Sequence, residues 1–329
     1  MSVPSASPQR EARAPSVGAR AFARRVFSGD EVARAFVTIS AGTILLVTVL
    51  IVYELWANSS LGRQHTGWGF LTGQTWDPIT NQYGALPYIY GTVVTSVLSL
   101  IIAIPVGIGA AIFLSELAPA RLSSTLSFLI ELLAAVPSVI YGLIGIYVMM
   151  PWLRAHAGPP LKSALGWTPF FTGPFYGPSY LTAGVLLGIM VLPFIVSVSR
   201  QILLAVPQEQ REGALALGAT KWEMTWKVVL PCARRGIVGS IFLALARALG
   251  ETMAVTMVIG NNPQIKATLL APGYSIASVV ANEFTEATTD MHRSSLIELG
   301  LVLFGLTVIV NGIARLLVRS GSKFSAQQT

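Results

Sequence analysis

Arg247 stands four residues before Glu251 inside an otherwise apolar run, with Thr252 and Thr256 close behind. Counted from Gly236, where that run begins, Arg247 lies about 16 Å in, near the middle of a ~30 Å hydrocarbon layer. A guanidinium at that depth costs a few kcal/mol even on insertion scales, so it is expected to face a polar interior. Glu251 at i+4 is expected on the same helical face. Two readings follow. In one, the two residues form an ion pair that locks a helix bundle. In the other, Arg247 offers a planar fork of donors to two oxygens of a tetrahedral oxyanion and never deprotonates. Thr252 and Thr256 then add hydroxyl donors, and Glu251 competes with the anion and eases its release. Buried pairs seldom add stability over apolar packing, which favours the anion site. Glu131, about 10 Å into an earlier apolar run if that run starts near Ser124, lines the same cavity or caps a neighbouring helix, and the structural role is preferred.

A second constellation runs from Pro207 to Pro231 as PQEQREGALALGATKWEMTWKVVLP. Pro207 suits a first helical turn and Gly218 a C-terminal stop, so a short helix is expected to end at Gly218. Ala214, Leu215 and Leu217 form its apolar side and Gln208, Arg211 and Glu212 its polar side, the pattern of a helix lying on a membrane surface or in a partner's groove. Gly213 and Gly218 have the glycine spacing of a phosphate-cradling loop, but Ala219 stands where the lysine belongs and no strand leads in. The chain is therefore not expected to bind ATP there.

These residues must be held by membrane helices. Of 329 residues, 53% are hydrophobic and 11% charged, and the mean hydropathy is +0.64, which excludes an ordinary soluble protein. The net charge of +7 comes from scattered basic residues with no interleaved aromatic stripe, so nucleic acid is not an expected partner. One cysteine, Cys232, excludes an internal disulfide, and His65, His156 and His292 have no i+4 partner, so no metal site is expected.

Residues 1–34 are polar, rich in Ser, Ala, Pro and Arg, with no early apolar run, and read as a flexible tail. Arg24 and Arg25 within it are topology determinants, or touch anionic lipid. Six apolar runs of spanning length follow at about 35–56, 88–114, 126–150, 180–198, 236–259 and 296–318. The fold class is accordingly all-α, a polytopic membrane protein with six transmembrane helices. Residues 57–87 form an outside loop, 88–319 a five-helix core with a loop at 204–231, and 320–329 a tail. With both termini inside, Arg63, Arg154, Lys162, Lys266 and Arg293 fall outside and Arg247 within a span, leaving sixteen of the 22 basic residues inside. That places 204–231 in the cytoplasm. Trp68, Phe70, Trp76, Tyr83 and Tyr88 are expected in an outer aromatic belt, residues 151–179 in a re-entrant or surface-hugging segment, and kinks at Pro105, Pro137 and Pro193.

The loop resembles the EAA loop of ABC importer permeases: Glu212, Gly213 and Ala214, then Gly218, then Val228, Leu230 and Pro231 at the family's spacing, with Gly213 in place of an alanine. The runs Arg247 to Thr256, Ile259 to Asn261, Ile130 to Gly142 and Tyr83 to Thr92 resemble the PstC-type phosphate permease family. The resemblance covers about residues 76–319. It implies the type I importer permease fold in the bacterial cell membrane, with Arg247 and Glu251 serving phosphate passage. It also implies a PstA-type permease partner, a PstB-type ATPase dimer holding ATP and Mg, and a PstS-type external phosphate-binding protein. Glu212, Gly213, Ala214, Gly218, Leu230 and Pro231 would form the ATPase coupling segment, and the chain itself would be no enzyme and carry no cofactor. The rivals are a permease for sulfate or molybdate, an ion-driven secondary transporter, and a membrane sensor. A secondary transporter more often shows internal repeats and broken helices at mid-membrane.

Overall fold

The computed structural model describes residues 30–325, with side chains placed over 31–316. Most of the expected tail, including Arg24 and Arg25, therefore lies outside the described residues. Two compact units divide at Glu54 and Leu55. The first consists, as described, of most of helix α1 (Asp30–Asn58), so residues 30–34 are helical rather than tail. It is apolar on every side, with Phe36, Ile39, Ile44 and Leu45 exposed, as a membrane helix demands.

In the second unit, residues 57–87 are more than a loop. They hold α2 (Ser60–Thr66), α3 (Gly69–Thr72) and a two-stranded hairpin, β1 (Trp76–Asp77) with β2 (Gln82–Tyr83). Helix α4 (Leu86–Ile112) follows, and then α5 (Ala120–Ala134), α6 (Ser138–Ile144), α7 (Met150–Trp152) and α8 (Gly158–Leu165). Next come α9 (Tyr180–Leu204), α10 (Gln208–Ala216), α11 (Lys221–Met224), α12 (Leu230–Leu249), α13 (Met253–Ile259), α14 (Ile276–Glu283) and α15 (Asp290–Ser325). The last of these carries helix into the expected C-terminal tail.

Six stretches are long and apolar enough to cross a membrane. Two differ from expectation. The third qualifying stretch is Ser138–Leu165 rather than 126–150, because Pro137 separates α5 from α6. The fifth begins at Lys221, not Gly236, so much of the polar loop is the start of a span, and it stops at Leu249. Residues 151–165, the first part of the segment expected to be re-entrant or surface-hugging, are helical.

Proline explains a recurrent distortion. Four π-helical turns, Phe113–Leu117, Gly145–Met149, Leu153–Ala157 and Thr225–Val229, are each followed two residues later by a proline: Pro119, Pro151, Pro159 and Pro231. Proline has no N–H and its ring crowds the carbonyl four residues back, and widening the preceding turn relieves both problems. Pro105 and Pro193, by contrast, lie inside continuous helices.

Helix α9 is the axis of the core, with Tyr180, Leu186, Leu187, Val191, Ile195 and Leu203 buried. It packs along α4 and α12. Close approach needs small residues where lipid offers no hydrophobic drive. A Cβ on Gly184 would come within 2.5 Å of Leu98, and one on Gly107 within 2.8 Å of Ile195. Ser199 and Ser240 join α9 to α12 through a buried 2.8 Å hydrogen bond. Gly142 of α6 faces Met257 and Ala254 of α13, so the two broken helices meet each other.

Candidate functional site

The chain that follows Arg247 is tied to α9. The Ser179 N–H, at the head of that helix, donates to the Val258 carbonyl at 3.2 Å, which levels the end of α13 with one edge of the bundle. Arg247 precedes Val258 by eleven positions, with the non-helical residues 250–252 between them. The continuous helix expected around Arg247 does not hold. Arg247 occupies the last turn of α12, and residues 250–252 interrupt the helix. Gly250 has low helix propensity, and Glu251 turns back to accept the Ala254 N–H at 3.3 Å, helping to start α13.

Arg247 and Glu251 therefore do not share a helical face, and the expected i, i+4 pair does not form. No carboxylate among the described residues pairs with Arg247, which is exposed on the surface of the bundle. Thr256 Oγ1 donates to the Thr252 carbonyl at 2.7 Å and Thr252 Oγ1 to that of Gly250 at 3.3 Å, so both hydroxyl protons are engaged with backbone. Tyr141 belongs to the same neighbourhood and its hydroxyl donates to the Leu133 carbonyl at 2.8 Å, tying α6 back to α5 across the Pro137 break.

Glu131 lies elsewhere. It is near the end of α5, which is not among the six spanning stretches, and lines a cleft of about 560 Å³ with Ser115, Ser123, Ser124, Ser127 and Arg200. Arg200 on α9 donates from Nη2 to Ser123 Oγ at 3.3 Å, and Ser123 in turn donates to the Leu114 carbonyl.

The expected surface helix is α10. Leu217 caps it, Gly218 takes φ +86°, and the Gly218 and Ala219 N–H groups donate to the carbonyls of Leu215 and Ala214. Such a left-handed stop is what glycine supplies. Gln208 donates to Glu212 at 2.8 Å on the outer side, Gly213 is open, and Leu217 is 92% exposed. Ala214 packs inward with Met224, Val229 and Ala233, and Leu230 joins that cluster. Thr220 and Glu223 make a reciprocal cap that starts α11, and Pro231 sits in the first turn of α12.

Sequence reasoning placed Arg211 on the polar side of this helix. Instead it reaches inward: Nη2 lies 3.0 Å from Glu116 Oε1, Nε is 3.3 Å from Oε2, Nη2 donates to the Leu203 carbonyl at 2.7 Å, and Nη1 to that of Val206. The one available signal was that Glu116 is an acid at the very end of an apolar run. Glu298, also missed, is buried with Oε2 unpartnered against Gly62. At the far end, Trp76, Tyr83 and Tyr88 form no belt. The Trp76 indole N–H donates to Glu283 Oε2 at 2.9 Å, His292 Nε2 lies 3.1 Å from the same oxygen, and the rings pack edge to face. Burial pushes the neighbouring Tyr274 hydroxyl up to about 12. Trp68, 87% exposed, keeps the expected surface position.

Comparison with known proteins gives a consistent relationship. Residues 103–322 match the family described as binding-protein-dependent transport system inner membrane component. The phosphate transport system permease protein PstC of Mesorhizobium japonicum is 45% identical, over 84% of this chain and 87% of its own. That of Haemophilus influenzae is 46% identical over 84% and 88%. Among solved structures, a chain of a bacterial alginate ABC transporter, in complex with an alginate-bound periplasmic protein, aligns at TM-score 0.59 and 14% identity, covering 91% of this chain and 99% of that one. A chain of the inward-facing MetNI methionine ABC transporter aligns at TM-score 0.53 and 18% identity, covering 75% and 99%. These two share the fold of an ABC importer permease.

Proposed function

The chain belongs to the family of binding-protein-dependent transport system inner membrane components, and from that premise we propose that it is a phosphate-conducting permease subunit of an ATP-driven importer. The observation that carries this reading is Arg247, a guanidinium exposed beside a helix break and expected within the membrane. A charge cannot be left against hydrocarbon, so a second polar surface must cover it. A paired PstA-type permease supplies that surface, and the passage between the two subunits becomes an anion path. The unpaired fork of Arg247 receives two oxygens of the phosphate, and Glu251, held apart by the break, lowers the affinity without neutralising the arginine.

Helix α10 is the coupling segment. Its exposed Leu217, Glu212 and Gly213 present a surface to a PstB-type ATPase dimer, which holds ATP and Mg, while Ala214 and Arg211 anchor it to the bundle. Nucleotide-driven closure of the dimer moves α10 and switches the bundle between outward-facing and inward-facing states. A PstS-type binding protein delivers phosphate to the end carrying the β1–β2 hairpin. The chain is then a multi-pass protein of the bacterial cell membrane with both termini in the cytoplasm, as the distribution of basic residues argues.

The helix breaks at residues 135–137 and 250–252 remove one criterion that sequence offered against a secondary transporter, and the ATPase dependence decides instead. The test is reconstitution of the assembled complex in vesicles with and without the ATPase, following labelled phosphate in competition with sulfate and molybdate. ATP-dependent phosphate uptake that the other oxyanions do not compete away supports the reading. ATP-independent flux, or preference for sulfate or molybdate, overturns it.

A further inference from the structure

The cleft beneath Glu131 holds more polarity than the fold uses. Ser127 Oγ and Arg200 Nε are buried without a hydrogen-bond partner, and no carboxylate among the described residues pairs with Arg200. Unmade hydrogen bonds at buried groups are costly, the more so on a charged group. The head of α5 opens onto the same space, since Ala118 and Ala120 line it and no side chain caps its first turn. Free N–H groups and the positive end of a fifteen-residue helix therefore add to Arg200. A volume of about 560 Å³ accommodates a tetrahedral oxyanion with some of its water. Glu131, the carboxylate on this lining, opposes an anion at the mid-depth end and confines the favourable region to the Arg200 end.

Depth relates this cleft to Arg247. Arg200 lies twenty positions along α9 from Tyr180, about 30 Å from the edge where Ser179 meets Val258, while Arg247 lies eleven residues before Val258. Both arginines carry free donor capacity on one bundle. We propose that the Arg200 cleft is a second oxyanion station, in which Arg200, Ser127 and the first turn of α5 receive phosphate after it leaves Arg247 and before it reaches the cytoplasm. This inference rests on the phosphate-importer reading. Two weaker stations in series let an anion leave where one strong site would hold it.

The experiment uses the assembled transporter in phosphatidylcholine vesicles with ATP inside, labelled phosphate outside, and unlabelled lumenal phosphate at increasing concentration. Initial uptake in the wild type is expected to fall as lumenal phosphate fills the station. Arg200→Gln is expected to raise the half-inhibiting lumenal concentration about tenfold, the loss of roughly one charge-assisted hydrogen bond. Ser127→Ala, which keeps the shape of the cleft, raises it severalfold. Lower uptake at every lumenal concentration with unmoved half-inhibition marks Arg200 as structural and overturns the station. An effect that appears when anionic phospholipid is added, and not without it, assigns the cleft to a lipid headgroup and also overturns it. A wild-type complex that moves no phosphate overturns the importer reading itself, and the station with it.

Discussion

Arg211 on α10 and Glu116 in the π turn that closes α4 form an ion pair 3.0 Å long, with the side chains 17% and 4% exposed. The same guanidinium takes the Leu203 and Val206 carbonyls at the end of α9. One residue of the surface helix thus grips the ends of two core helices. With the packing of Ala214 against Met224, Val229 and Ala233, these bonds join α10 to the bundle.

Breaking this grip is expected to uncouple the transporter. Removing one partner of a buried pair strands the other and costs about 3–5 kcal/mol. In Glu116→Ala or Arg211→Ala complexes, ATP hydrolysis should persist while phosphate uptake falls at least about tenfold. Uptake and hydrolysis measured on the same vesicles check this, and unchanged phosphate moved per ATP would refute it.

Arg247→Gln is expected to abolish uptake with subunit assembly intact, since a neutral amide cannot hold a charged oxyanion at mid-depth. Arg247→Lys keeps the charge but loses the bidentate fork, so it should retain a small fraction of the rate. Copurification of the subunits separates this outcome from misfolding. Full uptake by the glutamine variant would return the residue to a structural role.

The glycines of α10 should respond in opposite directions. A Cβ at Gly213 meets nothing within 4 Å and the position is helical, so Gly213→Ala should stabilise the helix by about 0.5–1 kcal/mol and leave coupling normal. Gly218 also has open space, but its φ of +86° penalises a side chain by about 1–2 kcal/mol. Circular dichroism melts and coupled ATPase rates of the two variants give the comparison. Equal responses would mean that the stop after α10 is not what positions it.

Gly91→Ala should be poorly tolerated. Its Cβ would collide with the Tyr274 backbone carbonyl, beside the point where the Ile276 N–H donates to Thr92 Oγ1 at 2.9 Å. Backbone cannot yield as a flexible side chain does, so a loss of about 1–3 kcal/mol is expected. A thermal unfolding midpoint equal to wild type in the purified complex would contradict this packing.

Sequence alone located four of the six membrane stretches and the surface helix with its glycine stop, because each is a local property. Apolar length, helix propensity and position along a run are readable from the neighbours in the chain.

Tertiary structure decided what touches what. The separation of Arg247 from Glu251, the placement of Glu131 with Arg200, and the inward turn of Arg211 to Glu116 all join or part residues by the packing of α4, α5, α9 and α12. A helical periodicity predicts a shared face so long as the helix continues, and three residues at 250–252 were enough to end it. Partners distant in the chain, such as Glu116 and Arg211, leave no trace in local spacing, since their meeting is fixed by the angle and register at which whole helices pack.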